Sequence, residues 1–393
     1  MPASALAPTT AYDFRKVQAR WPGLSDHPSL SDERAPAHTS HRTYYVLQMP
    51  PGSPASPPAA QLKSNAFADA LARYHRLRGR RTSTEHPDHP LGTSQAPAWP
   101  ELLDSLRRNV LGASDNLDLI FPATKIDQAR QLTKTLARMD LMSTKAPHIR
   151  ALALGLLTGD DHHSPMATAQ PYIDRYGADT VGCYMIFMGP HQHDLPFSEP
   201  QIAGAHRFLS RLWRLAHGLP PHLGAPPRSP VGADLQLLRK THQTIDRVTN
   251  TIESDFHFHV AIASIMGFVS ESIHVRDRVQ PQTIRFATET AASLLFPFAP
   301  HCAADAYHQL TGKRVWERPW PTPDPAYLRR EQLQIVVQVD GKLQARFQAN
   351  HDATPEQLKQ LARDCAPVRK RIAGRQIQRE VVVPGRLVNF VTN

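Results

Sequence analysis

Residues 234–273, DLQLLRKTHQTIDRVTNTIESDFHFHVAIASIMGFVSESI, decide the architecture of this chain. Leu238, Ile245 and Ile252 recur every seven residues, and Phe258, Ile262, Ile265, Val269 and Ile273 continue at helical spacing. Apolar residues at that period form a stripe along a helix, and such a stripe is stable only when buried against a neighbour. Upstream, Ile202, His206, Leu209, Trp213 and Ala216 draw a similar stripe; downstream, a helix over 284–295 ends before Pro297. Residues 201–312 therefore read as a helical bundle.

Toward the N-terminus the pattern changes. Thr43-Tyr-Tyr-Val-Leu-Gln48 is aromatic and β-branched, as a buried strand is. The prolines between 50 and 58 exclude regular structure, and a helix follows with Phe67, Leu71, Tyr74 and Leu77 on one face. Residues 82–100 read as a loop, 117–121 as a second strand and 128–139 as a helix. Strands alternating with helices indicate an α/β layer. Residues 1–42, rich in Pro, Ser and Ala apart from an amphipathic stretch over 12–21, are expected to be flexible.

Toward the C-terminus, residues 313–330 read as a linker because Pro319 to Pro325 is proline-rich. Residues 331–393 form a separate small unit. Residues 333–339 are a strand, and Asp340-Gly341 signals a hairpin. Thr354-Pro-Glu-Gln357 is a capping box with proline at the first helical position. Leu358, Leu361, Cys365, Val368 and Ile372 predict one amphipathic helix ending near Gly374, and a last hairpin turns at Pro384-Gly385. The order is ββαββ, and the fold class is α/β plus α.

Composition narrows the partners. Among 393 residues, 45 Lys and Arg against 35 Asp and Glu leave a formal charge of +10, which favours a polyanion such as nucleic acid. Cys183, Cys302 and Cys365 are far apart and form no Cys-x-x-Cys pair, so neither a zinc knuckle nor a disulfide framework is indicated, and a reducing, cytoplasmic setting is expected. No signal peptide and no run approaching the roughly 20 apolar residues of a bilayer span is read. Of the 21 histidines, His162-His163, His191-x-His193 and His257-x-His259 are the pairs that suggest a metal. Each lacks companion ligands at a familiar spacing, so no metal is expected.

Several motifs resemble the leucyl-tRNA synthetases, a class I aminoacyl-tRNA synthetase family. They are Tyr176-Gly-Ala-Asp-Thr180, Tyr184-Met-Ile-Phe-Met-Gly-Pro190, Asp194-Leu195, Arg207-Phe-Leu209 and His242-Gln-Thr-Ile245. Leu295-Phe-Pro-Phe-Ala-Pro-His301, Val337-Gln-Val-Asp-Gly-Lys342 and 381–389 extend the likeness, with Tyr44–Leu47 and Leu71–Tyr74 upstream. The resemblance implies a remnant Rossmann-like catalytic domain over 43–200, an anticodon-binding-type bundle over 201–312 and a tRNA-binding C-terminal domain over 331–393. The family's editing insertion would fall around 100–116, a stretch too short to fold independently, so proofreading is not expected.

The same alignment implies that the family's ATP and Mg chemistry is degenerate here. The family's His-x-Gly-His signature falls on Pro58-Ala59-Ala60-Gln61, which removes both imidazoles. Its lysine loop falls on residues 158–162, so Asp160 and Asp161, followed by His162, stand where phosphate-binding lysines belong. The adenosine site falls near Pro122–Ile126, without its glycines, acid or histidine. Transferring a nucleotidyl group needs positive and hydrogen-bonding groups around the phosphate, and carboxylates repel it.

The leading expectation is thus binding of tRNA-Leu or leucyl-tRNA without leucine activation. Candidate phosphate contacts are Arg207, Arg211 and Arg214, at 4-3 spacing on one helix, and Lys342, Arg369, Lys370, Arg371, Arg375, Arg379 and Arg386 in the C-terminal unit, where the last helix and following strand gather charge toward one edge. Two other classes stay open. One is a residual ligase or an enzyme that consumes leucyl-tRNA; the other is an accessory subunit acting on a protein partner, with the proline-rich 50–58 segment as docking site. No membrane partner is expected.

Overall fold

The computed structural model describes residues 11–24, 43–48, 58–85, 114–122, 148–155, 157–158, 169–221, 223–328, 332–350, 353–383 and 385–393. These belong to two compact units, Met1–Thr322 and Pro323–Asn393. The helix expected over 128–139, the 50–57 prolines and the Asp160–His163 cluster lie outside the described residues.

The first unit begins with α1 (Phe14–Arg20), capped by the Asp13 carboxylate, which accepts from the Arg15 and Lys16 amides. Val17 and Leu24 are buried in the main core, so residues 11–24 are a packed part of the unit and not the flexible segment the composition suggested. The cause is their apolar side: Tyr12, Val17, Trp21 and Leu24 have a bundle face to cover, which proline and serine content does not reveal.

Four strands build a wholly parallel sheet in the order β2-β1-β3-β4: β1 (Thr43–Gln48), β2 (Arg81–Glu85), β3 (Ser114–Pro122) and β4 (His148–Leu154). Helix α2 (Pro58–Leu77) connects β1 to β2, and Phe67, Leu71, Tyr74 and Leu77 are buried as the stripe required. Pro58 opens α2, since proline's missing N–H costs nothing in a first turn. Residues 81–85 correct the loop reading. Their polar sequence, RTSTE, is tolerated because, among the described residues, the strand lies at the sheet edge and pairs with β1 alone. Strand β4 was not anticipated at all.

A short parallel pair, β5 (Leu157–Thr158) and β6 (Leu195–Pro196), brackets α3 (Gln170–Tyr176) and α4 (Ala178–Phe187). The bundle then comprises α5 (Glu199–His217), α6 (Gly232–Asp255), α7 (Phe258–Val275), α8 (Pro281–Leu295) and α9 (Pro300–Thr311). Leu238, Ile245 and Ile252 of α6 and Phe258, Ile262, Ile265 and Val269 of α7 are all buried; Ile273 ends the stripe 39% exposed. By length and composition, the stretch Phe258–Arg278 passes for a membrane span. Its apolar face is already occupied by the bundle core, where each buried large side chain stabilises by about 1.5–3 kcal/mol. Helix α9 is a further bundle member, overlooked because alanines and His301 dilute its stripe. Residues 313–322 are no linker: Val315 and Trp320 are buried, and the Trp320 amide donates to the Leu77 carbonyl at 2.7 Å.

The second unit holds α10 (Pro325–Leu328) and a four-stranded sheet in the order β8-β7-β10-β9. Its strands are β7 (Gln332–Val339), β8 (Lys342–Asn350), β9 (Ile377–Val383) and β10 (Leu387–Thr392). β7 and β10 are parallel and the outer pairs antiparallel. Asp340 and Gly341 have φ of 53° and 77°, the left-handed pair a two-residue hairpin with right-handed strand twist demands. The capping box forms, with Thr354 and Gln357 exchanging bonds of 2.9 and 3.3 Å. The single helix predicted after it is two, α11 (Pro355–Asp364) and α12 (Ala366–Ile372). Pro367 has no N–H for the Arg363 carbonyl four residues back, so the first helix stops at Asp364, Cys365 turns extended at ψ 121° and a new helix starts at Ala366; Leu361 is 44% exposed.

Candidate nucleic-acid interface and the core that supports it

The strand layer is fastened to the bundle by buried charge. Asp118, in the middle of the apolar strand β3, accepts two bonds of 2.7 Å from Arg150 of β4 and one of 2.8 Å from His75 of α2. Arg80 donates to His75 Nδ1 at 2.9 Å, so His75 is the neutral tautomer whose Nε2–H donates to Asp118. Burial holds His75 below its ordinary range in spite of Asp118. Burial pushes the Asp118 carboxyl up, but the His75 and Arg150 bonds outweigh it and keep the group ionised. Arg80 and Tyr74 bind Glu253 of α6 at 3.1 and 2.8 Å, while Arg150 reaches the Glu253 carbonyl at 3.0 Å and covers the Phe256 ring. A carboxylate inside Leu117-Asp-Leu-Ile-Phe121 was the signal for this network, because a buried charge requires partners.

Two further carboxylates lock helices together. Asp179, in the first turn of α4, accepts from His301 Nδ1 at 2.6 Å and from the Cys302 amide at 2.7 Å, which caps α9. Asp305 of α9 accepts from Arg20, Trp21 and Trp213 at 2.9, 3.2 and 2.8 Å, with His217 at 3.3 Å. Burial works to raise Asp305, yet the bonds from His217, Trp213 and Trp21 hold it at about 2. Burial pushes the Cys183 thiol to about 12, so it is inert.

At the C-terminal end of β4, Lys63 is buried and donates to the Gly155 carbonyl at 2.8 Å; burial lowers it to about 8. His191 lies 6.4 Å from His257, ring to ring, and His257 lies 5.7 Å from His259. Folding thus brings together two histidine pairs that the sequence separates. Among the described residues, however, no three His, Cys, Asp or Glu side chains are grouped so as to hold a metal. Pro58 and Gln61 fall in the first turn of α2.

Arg207, Arg211 and Arg214 are exposed along one side of α5, away from the buried Phe208, Leu209, Leu212 and Trp213. The C-terminal cations separate. Arg369, Lys370 and Arg371 are exposed on α12, in the helical layer whose Leu358, Ala362 and Val368 cover Ile335, Val337, Val388 and Phe390. Glu380 shares that side, bonded to Arg363 and facing Phe390 across the strand pair. Strand alternation therefore sends Arg379 to the opposite face, together with Arg346, which pairs with Val336. Arg375 is tied to Asp340 at 3.5 Å, while Lys342 and Arg386 are exposed near opposite strand ends. Arg379 therefore does not share a face with Arg369, Lys370 and Arg371, because a strand's side chains point to alternate faces.

A family model, the anticodon-binding domain of tRNA ligase, matches residues 234–360. Leucine–tRNA ligase of Syntrophobacter fumaroxidans is 35% identical over 280 residues, covering 67% of this chain and 34% of that protein. The Hahella chejuensis leucine–tRNA ligase is 36% identical over 231 residues, covering 56% and 26%. The chain is a relative of the leucyl-tRNA synthetases. It spans about a third of the length of the curated synthetases it matches. The fold agrees with a crystal structure of the Agrobacterium radiobacter leucyl-tRNA synthetase in a ternary complex with tRNA and LeuAMS: TM-score 0.61 at 21% identity, covering 71% of this chain and 37% of that one. Within this synthetase relative, two of the motifs that carry the likeness touch, through Asp179 and His301.

Proposed function

We propose that this synthetase relative binds tRNA-Leu or leucyl-tRNA without activating leucine. The observation that carries the proposal is the exposed Arg207–Arg211–Arg214 row on α5, in a bundle whose following helices match an anticodon-binding domain. Guanidinium groups free of the core offer bidentate bonds to phosphate and give affinity with little sequence reading. The parallel sheet supports reading 43–200 as a remnant Rossmann-like domain. An ATP triphosphate does not fit the residues at the degenerate signatures: Pro58 has no N–H to give, Gln61 replaces an imidazole, and Asp160 and Asp161 carry the phosphate's own sign. Two assays test the halves separately. Gel shift at low salt is expected to retain tRNA-Leu, and failure to retain it overturns binding. Leucine-dependent ATP–pyrophosphate exchange is expected at the level of a boiled control, and clear exchange above it overturns the loss of activation.

A further inference from the structure

We propose that the joint where α2, the end of β4, the 188–195 loop and the start of α7 meet is an acid-opened latch between the strand layer and the bundle. The closed joint rests on close backbone contact. The Gly155 amide donates to the His191 carbonyl at 2.8 Å, and a Cβ on Gly155 would stand 2.1 Å from the His193 carbonyl oxygen. Lys63 closes the other side through the Gly155 carbonyl, and Phe67 packs between the His191 and Phe258 rings at 6.2 and 5.5 Å.

Into this joint the fold places His191, buried to 4% exposure, with no hydrogen-bond partner at Nδ1 among the described residues. A second proton on that ring would sit on a buried nitrogen without an acceptor. Among the described residues, the ionisable groups that act most on His191 are basic: His257 and His259 from α7, Lys63 from α2 and His193 from its own loop. Asp194, the neighbouring carboxylate, acts on Lys63. His257 is the N-cap of α7 and His259 follows within its first turn, where the helix dipole also opposes positive charge. Acidification therefore has one low-energy outcome, separation of the loop and the α7 start from the strand end, which returns the imidazoles to water. Burial, followed by the His257 and His259 charges, lowers His191 from 6.5 to about 4, which supports the same conclusion.

The sign is that of a depressed histidine. The closed form is fully stable above pH 6.5 and loses stability as pH falls toward 4, because the opened form binds the proton first. Between pH 8 and pH 5 the opening constant should rise about 30-fold on this single site. Hydrogen exchange of the full chain, corrected for intrinsic rates, reads it directly. Amides over 189–195 and 258–262 should lose protection about 30-fold, while those of α8 and α9 hold theirs. In His191→Gln the change should shrink to under about 3-fold. Uniform loss across both regions, or an unchanged pH response in His191→Gln, overturns the latch. Should that variant not fold, the His191 ring followed by NMR in the parent decides: titration near 4 in the closed form supports the latch, and titration at 6 or above refutes it.

Discussion

Replacing Arg207, Arg211 and Arg214 with Gln removes the whole α5 row while leaving the helix and its buried face in place. Seven residues at 1.5 Å rise make a row about 10 Å long. A polynucleotide strand offers one phosphate per roughly 3.4 Å of axis, so the row faces about three phosphates. Each neutralised phosphate contributes about 0.7–0.9 to the log–log dependence of affinity on salt, and the triple variant should flatten that slope by about 2–3. Between 50 and 200 mM salt the parent should then lose about 20- to 40-fold more affinity than the variant. Filter binding of tRNA-Leu across that range, with circular dichroism to verify the helices, measures it. A variant that keeps the parent's slope shows that α5 does not touch the phosphates, and the reasoning from exposure and spacing fails with it.

Asp118→Asn should destabilise the first unit by about 3–5 kcal/mol, because it strands the Arg150 guanidinium and inverts one bond in a buried site; urea unfolding giving under about 1 kcal/mol would contradict this. Asp305, held at about 2, stabilises the fold above pH 3.8, and that contribution disappears as pH falls toward 2. Asp305→Asn should therefore unfold with a shallower acid dependence than the parent over pH 2–4, and parallel curves would refute the role of that carboxylate. In the C-terminal unit, the two faces can be told apart. Arg346→Glu with Arg379→Glu, against Lys370→Glu with Arg371→Glu, should flatten the salt slope for tRNA in one pair only, since one rigid strand layer cannot present both faces to the same phosphates. Equal effects would rule out a single docking face.

Helical period alone was enough to identify α5 to α8 as bundle helices, because burial of one face imposes a repeat that a chain writes in its own residues. Local chemistry was equally sufficient for the Thr354 capping box and the Asp340–Gly341 turn, since their partners lie within a few residues. The motifs at 176–190 and 295–301 likewise pointed to the synthetase family before any contact between Asp179 and His301 was visible. What depended on distant partners was not legible. Residues 11–24 fell within a segment read as flexible, despite its amphipathic stretch, until the bundle offered Val17 and Leu24 a surface, and Trp320 looked like linker until Leu77 met its amide. Strand β2 has no apolar pattern because its place at the sheet edge, and not its sequence, makes it a strand. The same holds for the site: spacing put the arginines of α5 on one side, but only strand pairing shows that Arg379 and Lys370 belong to opposite faces. Sequence determines which faces must be buried or capped nearby. The tertiary structure decides which distant groups satisfy one another, because charge and close packing act through space and not along the chain.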